Sequence, residues 1–222
     1  MKKILFVVTS HGELGDTEKK TGYFLSEVTH PWSVLGDYFE IDVVSPKGGE
    51  PPVDGFDLTD PINRRFWEDP SWQKKMKSTM TPDEVVPEDY TAIFYAGGHG
   101  AMWDFPNNTR LGEIASKIYE AGGYVAAVCH GPAGLLPIQL SSGEKLIAGK
   151  RLDSFTNAEE IANGTQNIVP FMLQTALTNE GAIFEDTAPW TDHVVVDGRL
   201  ITGQNPQSAL SLGKALLSAL KS

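Results

Sequence analysis

The stretch YVAAVCHGPAG, residues 124–134, carries the strongest fold signal in this chain. It opens with a nearly unbroken apolar run, which is typical of a parallel strand covered on both faces. Gly131 and Pro132 follow, and proline favours the first turn of a helix. The stretch therefore predicts a buried strand, a sharp turn that holds Cys129 and His130, and a helix that starts at about Pro132.

Further strands and helices alternate on both sides of this stretch. Strands that alternate with helices are typical of βαβ units, so the pattern predicts an α/β fold with a doubly wound, mostly parallel sheet and helices on both faces. Asp197-Gly198 lies between two apolar runs and predicts a two-residue hairpin turn. The other predicted strands are Lys3–Val8, Phe39–Val44 and Ala92–Tyr95, and the predicted helices are residues 23–35, 109–121 and 207–220.

Residues 47–87 interrupt this alternation. The segment contains several prolines and shows no clear strand pattern. We interpret it as an inserted flap at the rim of a pocket, within a single domain that spans residues 1–222. The side chains expected to pack this flap are Phe56, Phe66, Trp67 and Trp72.

The composition limits the partners and the compartment. The 222 residues include 18 Lys and Arg against 29 Asp and Glu, so the net charge at pH 7 is −11. Phosphate backbones and anionic lipids would repel such a chain, so no nucleic acid and no membrane partner is expected. Cys129 is the single cysteine and cannot form an internal disulfide, and the first residues lack a secretory signal pattern, which favours a cytoplasmic location.

Cys129 is the candidate nucleophile. A helix start places free backbone N–H groups and a positive dipole near the sulfur, which would lower the pKa of the thiol. The glycine turn Gly97–Gly100 ends the preceding strand, and the two loops should meet at the same edge of the sheet. The N–H groups of Gly98 and His130 are then candidates for an oxyanion hole. The alternative for Cys129 is a small core residue.

A glutamate lies on an apolar helix face. Helical spacing over residues 23–35 places Glu27 among apolar side chains, so its pKa should be raised and it could donate a hydrogen bond to the sulfur or transfer a proton. The alternative is a side chain that swings to solvent. His30 and His99 each have a structural alternative as hydrogen-bonded histidines, although His99 is also a candidate for substrate binding. No ligand spacing typical of metal sites joins these residues, so no metal and no cofactor is predicted.

Four segments resemble one known group of proteins. Together they resemble the glyoxalase III-like branch of the PfpI superfamily, which includes heat-inducible holding chaperones and shares its fold with class I glutamine amidotransferases. The resemblance covers nearly the whole chain. The segments are KTGYFLSEVTHPW (20–32), AGGHGAMWDFP (96–106), AAVCHGPA (126–133) and DGRLITGQNPQSA (197–209).

The resemblance implies a flavodoxin-like fold, which is usually a homodimer in this group. It places the family nucleophile at Cys129, the adjacent catalytic histidine at His130 and the acid that contacts the sulfur at Glu27. A further catalytic acid, in a segment like F-T-x-x-x-E, corresponds to Glu160. Because Glu159 stands where related proteins tend to have glycine, either glutamate is a candidate, although an acidic pair on a helix is normally solvated.

The expected activity is glutathione-independent conversion of methylglyoxal and similar 2-oxoaldehydes to 2-hydroxy acids such as lactate. Cys129 would attack the aldehyde carbon to form a hemithioacetal. One alternative keeps the same cysteine in a protein deglycase or amidase. Another is a stress-induced holding chaperone for misfolded proteins or an oxidation sensor, for which the segment 66–72 is the candidate apolar surface.

Overall fold

A computed structural model describes residues 3–222 of the chain. It contains strands β1–β10 and helices α1–α8, joined by short 3₁₀ helices such as Gly131–Leu135. The strands are Lys3–Val7, Tyr23–Phe24, Glu40–Val44, Val53–Asp54, Tyr90–Tyr95, Tyr124–Val128, Arg151–Leu152, Ile183–Phe184, Val194–Asp197 and Leu200–Gly203. The α-helices are Leu25–Leu35, Pro61–Glu68, Pro70–Met76, Ala101–Asp104, Thr109–Glu120, Asn157–Ala162, Leu173–Asn179 and Ala209–Lys221.

Six strands form the central sheet, in the order β3-β1-β5-β6-β10-β9. All neighbours are parallel except β10 and β9, which form an antiparallel hairpin at one edge. The chain moves from β1 outward to β3 and then returns to the other side of β1 with β5. The order of the strands therefore changes direction at β1, and ligands bind at such points beyond the carboxyl ends of the strands.

Both faces of the sheet are covered, as the apolar strand patterns predicted. In β1, Leu5 and Val7 pack into one core with helix α5, whereas Ile4 and Phe6 pack into the other core with helices α1 and α8. Successive side chains of a strand point to opposite faces, so a strand that is buried on both sides reads as a continuous apolar run. The predicted flavodoxin-like α/β fold is confirmed.

Several predicted boundaries need correction. Residues Tyr23–Phe24 form a short strand paired with Val53–Asp54, so α1 begins at Leu25 and the segment 47–87 does contain a strand. The hairpin turn is formed by Gly198 and Arg199, because Asp197 still pairs with Leu200. Within residues 3–222, no helix is both long enough and apolar enough to cross a membrane.

The inserted segment 47–87 folds into α2, α3 and short 3₁₀ helices against the edge of the sheet. Phe66 is fully buried and Trp72 packs on it with ring centroids 5.1 Å apart. Phe56 packs edge-on against Trp67 at 4.7 Å but remains half exposed. The four aromatic side chains therefore do pack this segment, and its residues Asp54–Asn63 reach the rim of the main cavity.

Candidate active site

Cys129 occupies the turn that follows β6. Its backbone has a φ of 59°, a left-handed conformation that is uncommon for a side chain other than glycine, asparagine or aspartate. A sharp strand-to-helix turn of this kind aims a nucleophile away from the sheet. The helix that follows is the 3₁₀ helix Gly131–Leu135, one residue earlier than predicted and only five residues long. A side chain at Gly131 would place its Cβ 2.2 Å from the carbonyl oxygen of Tyr95, so the turn requires glycine there.

The glycine turn after β5 lies directly beside the cysteine, as predicted. Gly98 has a φ of 99°, and a Cβ at this position would lie 2.1 Å from the carbonyl oxygen of Gly22. Only glycine allows the turn to approach that loop so closely. The N–H of Gly98 favours the thiolate form of Cys129, although its effect on the pKa of the thiol is smaller than that of burial. The backbone thus supplies one donor at the point where negative charge would develop.

His130 links the cysteine to a glutamate. Its Nδ1 lies 3.4 Å from Cys129 Sγ, and its Nε2 lies 2.8 Å from Oε2 of Glu160. A carboxylate only accepts, so Nε2 carries the hydrogen of the neutral ring and Nδ1 faces the sulfur as an acceptor. Burial, with a smaller contribution from His99, lowers the pKa of His130 to about 4. The ring is therefore neutral at pH 7 and can accept the thiol proton.

Glu160 is a buried carboxylate surrounded by donors. Its Oε1 lies 3.0 Å from Nε2 of His99 and accepts a short hydrogen bond from the Thr165 hydroxyl, while Oε2 is bonded to His130. Burial by itself would raise the pKa of Glu160, but the hydrogen bonds from the two histidines hold it below its usual value. Glu160 therefore remains ionised and fixes the orientation and tautomer of His130.

A second glutamate, Glu27, lies near the sulfur and influences its pKa. It is fully buried on α1, as the apolar helix face predicted. Its Oε2 accepts a hydrogen bond of 2.7 Å from the Gly97 amide, whereas Oε1 has no hydrogen-bond partner among the described residues. Burial raises the pKa of Glu27 to about 8, against smaller opposing effects from Cys129 and Gly97. At pH 7 the carboxyl is mostly protonated, and it lies close enough to the sulfur for the two groups to shift each other's pKa.

The sulfur itself does not behave as the sequence predicted. Burial raises the pKa of the Cys129 thiol, and negative charge on Glu27 raises it further. The expectation of a lowered pKa was wrong because the short helix after the turn offers little dipole, while the enclosed site removes water from the thiolate. The site therefore holds a neutral thiol next to a neutral base, with the proton of Glu27 available to a thiolate once it forms.

Glu159 forms no hydrogen bond with His130 among the described residues. The expectation of a solvated acidic pair is also wrong. Glu159 and Glu160 are both buried. Glu159 forms a capping box with Thr156, in which each side chain accepts from the other residue's amide at the start of α6. The capping box therefore fixes the first turn of α6 so that Glu159 points into the fold and Glu160 contacts the two histidines, His99 and His130. The geometry brings Glu160, rather than Glu159, to His130.

A cavity of about 700 Å³ opens above these groups. Cys129 and His130 lie at its floor together with Gly98 and His99, although Cys129 itself is only 3% exposed. Three further residues contribute to the site: no local pattern marks Thr165 or Trp190, and the segment that carries Glu160 includes Phe155 without indicating its role. Thr165 donates to Glu160, and Phe155 and Trp190 line the wall.

Two further expectations concern histidines and metals. Nε2 of His30 lies 2.8 Å from Oδ2 of Asp60, which caps α2, so His30 has the structural role that was its alternative, at the cavity rim. His99, His130 and Glu160 offer ligand atoms within 4.8 Å of one another, and such a set could hold a metal ion. The same atoms already form hydrogen bonds with one another, which gives them a role that needs no metal.

This combination defines a class: a flavodoxin-like protein with a cysteine on a strained turn, an adjacent histidine and two buried acids. Residues 20–219 match the DJ-1/PfpI family, and the chain belongs to that family. The glutathione-independent glyoxalase HSP31 of Saccharomyces cerevisiae is 36% identical over 239 residues, covering 99% of this chain and 98% of that protein. The predicted resemblance is thus confirmed.

Solved structures agree with the fold. The chain superposes on the Rapid Encystment Protein 24 kDa of Francisella tularensis with a TM-score of 0.95 and 39% identity, over 99% of both chains. It superposes on glyoxalase III of Candida albicans with a TM-score of 0.91 and 31% identity, over 98% of this chain and 96% of that one.

Proposed function

We propose that this chain is a glutathione-independent glyoxalase that converts methylglyoxal and similar 2-oxoaldehydes to 2-hydroxy acids. The family and the named glyoxalases that match along the full length support an enzyme of this type. One observation carries the mechanism: Sγ of the single cysteine faces the free Nδ1 of a neutral histidine at the floor of a cavity. In this arrangement His130 can remove the thiol proton while the sulfur attacks a bound aldehyde.

The first step is addition of Cys129 to the aldehyde carbon. The S–C bond forms while Nδ1 of His130 takes the thiol proton, and the N–H groups of Gly98 and His130 stabilise the oxygen that becomes negative. Return of the proton to that oxygen gives the hemithioacetal. Glu160 stabilises the imidazolium that exists between these two transfers, because it is already ionised and bonded to Nε2.

The second step moves a proton between adjacent carbons. His130, assisted by the carboxyl of Glu27, removes the proton from the former aldehyde carbon and returns one to the neighbouring carbonyl carbon, while the hydroxyl proton on the first carbon moves to the oxygen on the second. The first carbon is oxidised to the thioester level and the second is reduced to an alcohol, so the step is internally balanced and consumes no redox cofactor. Water then hydrolyses the thioester, which releases the 2-hydroxy acid and restores the thiol.

The decisive experiment measures lactate formed from methylglyoxal without glutathione or added metal. Wild type should form lactate, and Cys129→Ala should reduce the rate by more than about a thousandfold, because the nucleophile is absent. Iodoacetamide labelling of wild type reports independently that the thiol is accessible. A silent wild type whose thiol still reacts with iodoacetamide would refute the glyoxalase assignment.

The alternatives differ in what they require. A deglycase would prefer glycated amines over free 2-oxoaldehydes in the same assay. A holding chaperone needs an exposed apolar surface, but Phe66 is fully buried and Trp67 and Trp72 are partly covered. The segment 66–72 therefore does not offer the surface expected from the sequence, and a role with misfolded proteins has no support in this region.

The homodimer and the cytoplasmic location are further parts of this proposal. The homodimer rests on the resemblance to the family, and the location rests on the single cysteine, which cannot form an internal disulfide. Light scattering of the purified chain at micromolar concentration tests the first. A mass close to 24.2 kDa instead of twice that value would contradict the dimer.

A further inference from the structure

Trp190 combines features that a loop residue seldom has together. Its backbone φ is 63°, in the left-handed region that an indole-bearing residue rarely adopts. Its side chain is 41% exposed and lines the main cavity. Backbone strain of this kind persists only where surrounding contacts impose it, and it is concentrated at functional sites.

The contact that imposes this conformation comes from Glu159. Oε1 of this fully buried carboxylate accepts a hydrogen bond of 2.9 Å from the backbone N–H of Trp190. The same oxygen accepts from Asn205 at 2.8 Å and from Gln204 at 3.2 Å, while Oε2 accepts the amide and hydroxyl of Thr156. Every one of these partners is a donor, so only a carboxylate satisfies the arrangement on both oxygens.

The indole is connected to the reacting groups by a chain of packed rings. Trp190 packs edge-on against Phe155 with centroids 5.5 Å apart, and Phe155 packs against the His130 ring at 4.4 Å. Phe155, which is 3% exposed, and Trp190, which is 41% exposed, thus form one aromatic wall that begins at the catalytic histidine and lines the cavity. A cavity of about 700 Å³ leaves much more room than the methyl group of methylglyoxal needs.

We propose that this aromatic wall, Phe155 and Trp190, is a subsite for the substituent of the 2-oxoaldehyde and selects aryl substituents over methyl. Glu159 is the positioning residue that holds Trp190 in the wall. The proposal rests on the proposed function, because it names the substrate class of the same site: arylglyoxals, with phenylglyoxal as the probe. An aryl ring bound to this wall gains aromatic contacts that a methyl group cannot make.

The test compares kcat/KM for phenylglyoxal and methylglyoxal. Trp190→Ala should lower the phenylglyoxal/methylglyoxal ratio by about tenfold, chiefly through KM for phenylglyoxal. Trp190→Phe, which keeps an aromatic ring, should restore most of the ratio. Glu159→Gln should also lower the ratio through KM, because its amide group would face donors. Tyr38→Leu, an exposed aromatic change outside the cavity, should leave the ratio unchanged.

A binding measurement separates the subsite from the chemistry. In a Cys129→Ala background, mandelate should quench tryptophan fluorescence more strongly than lactate, and Trp190→Phe should remove that difference. If Trp190→Ala lowers kcat/KM equally for both substrates while wild type converts methylglyoxal, the subsite proposal is wrong and the proposed glyoxalase function still holds. A different outcome is that mandelate quenches the fluorescence of Trp190 but wild type converts neither substrate. That result would support the subsite and refute the proposed function.

Discussion

Glu27 and Glu160 are both buried glutamates near the same cysteine–histidine pair, yet their environments move their pKa values in opposite directions. Glu27 receives one amide hydrogen bond and is otherwise enclosed, and burial raises its pKa to about 8. Glu160 is also buried, but hydrogen bonds from His130 and His99 keep its pKa low. The number of donors, rather than burial alone, decides which acid is ionised.

In the proposed mechanism, this difference gives the two acids different roles. A protonated carboxyl can donate to the thiolate and exchange a proton with the substrate, whereas an ionised carboxylate can only accept and therefore fixes the histidine. Two glutamates whose pKa values are pushed apart are typical of sites that need an acid and a base at one pH. Substitutions that make one acid resemble the other test this division.

The largest effect is expected from Glu160→Gln. A glutamine amide can donate to Nε2 of His130, which places the ring hydrogen on Nδ1 and removes the base that faces the sulfur. We expect kcat for methylglyoxal to fall by about a thousandfold, which corresponds to about 4 kcal/mol. Glu88→Gln, an exposed acid outside the cavity, is the matched control. A loss of less than about fivefold in Glu160→Gln would show that His130 does not depend on this carboxylate.

The second prediction concerns stability and Glu27. The pKa of Glu27 is raised in the folded protein, from 4.5 to about 8, so the folded state binds a proton that the unfolded state releases over this range. Stability is therefore lost as the pH rises from about 4.5 to about 8. Glu27→Gln keeps the shape of the protonated acid without this loss, and should stabilise the protein by about 2–3 kcal/mol at pH 8 while slowing turnover.

Urea unfolding at pH 5 and at pH 8 checks the sign of this effect. The free energy of unfolding of Glu27→Gln should exceed that of wild type by little at pH 5 and by the full amount of about 2–3 kcal/mol at pH 8. The other titrating groups are present in both proteins, so their contributions cancel in this difference. Glu88→Gln should show no such growth between the two pH values. A variant that is less stable than wild type at pH 8 would contradict a costly ionisation of Glu27.

The smallest effect is expected from Thr165→Val. This change removes the hydroxyl that donates to Oε1 of Glu160 and so makes Glu160 slightly more like Glu27. The pKa of Glu160 should rise, and kcat/KM should fall by about fivefold, with the loss greatest at the acidic end of the pH profile. Thr178→Val on α7, an exposed position, is the control. An unchanged acidic limb in Thr165→Val would argue against this hydrogen bond.

The two glutamates also show which site residues could be predicted from the sequence. Glu27 was identifiable because helical spacing placed it among apolar residues, and that periodicity is a local property of the chain. Glu160 was found only through resemblance to a family segment, and the choice between Glu159 and Glu160 stayed open. The capping box at Thr156 settles which glutamate faces His130, since it fixes the rotation of the first turn of α6.

The sequence by itself determined the alternating elements, the parallel sheet, the turn with Cys129 and His130, and the glycine turn beside it. These follow from apolar runs, proline and glycine, which act on neighbouring residues. Tertiary structure alone decided the ionisation of the thiol and the donors around Glu160, as well as the place of Trp190. Those properties depend on groups far apart in the chain, and on the water that their packing removes.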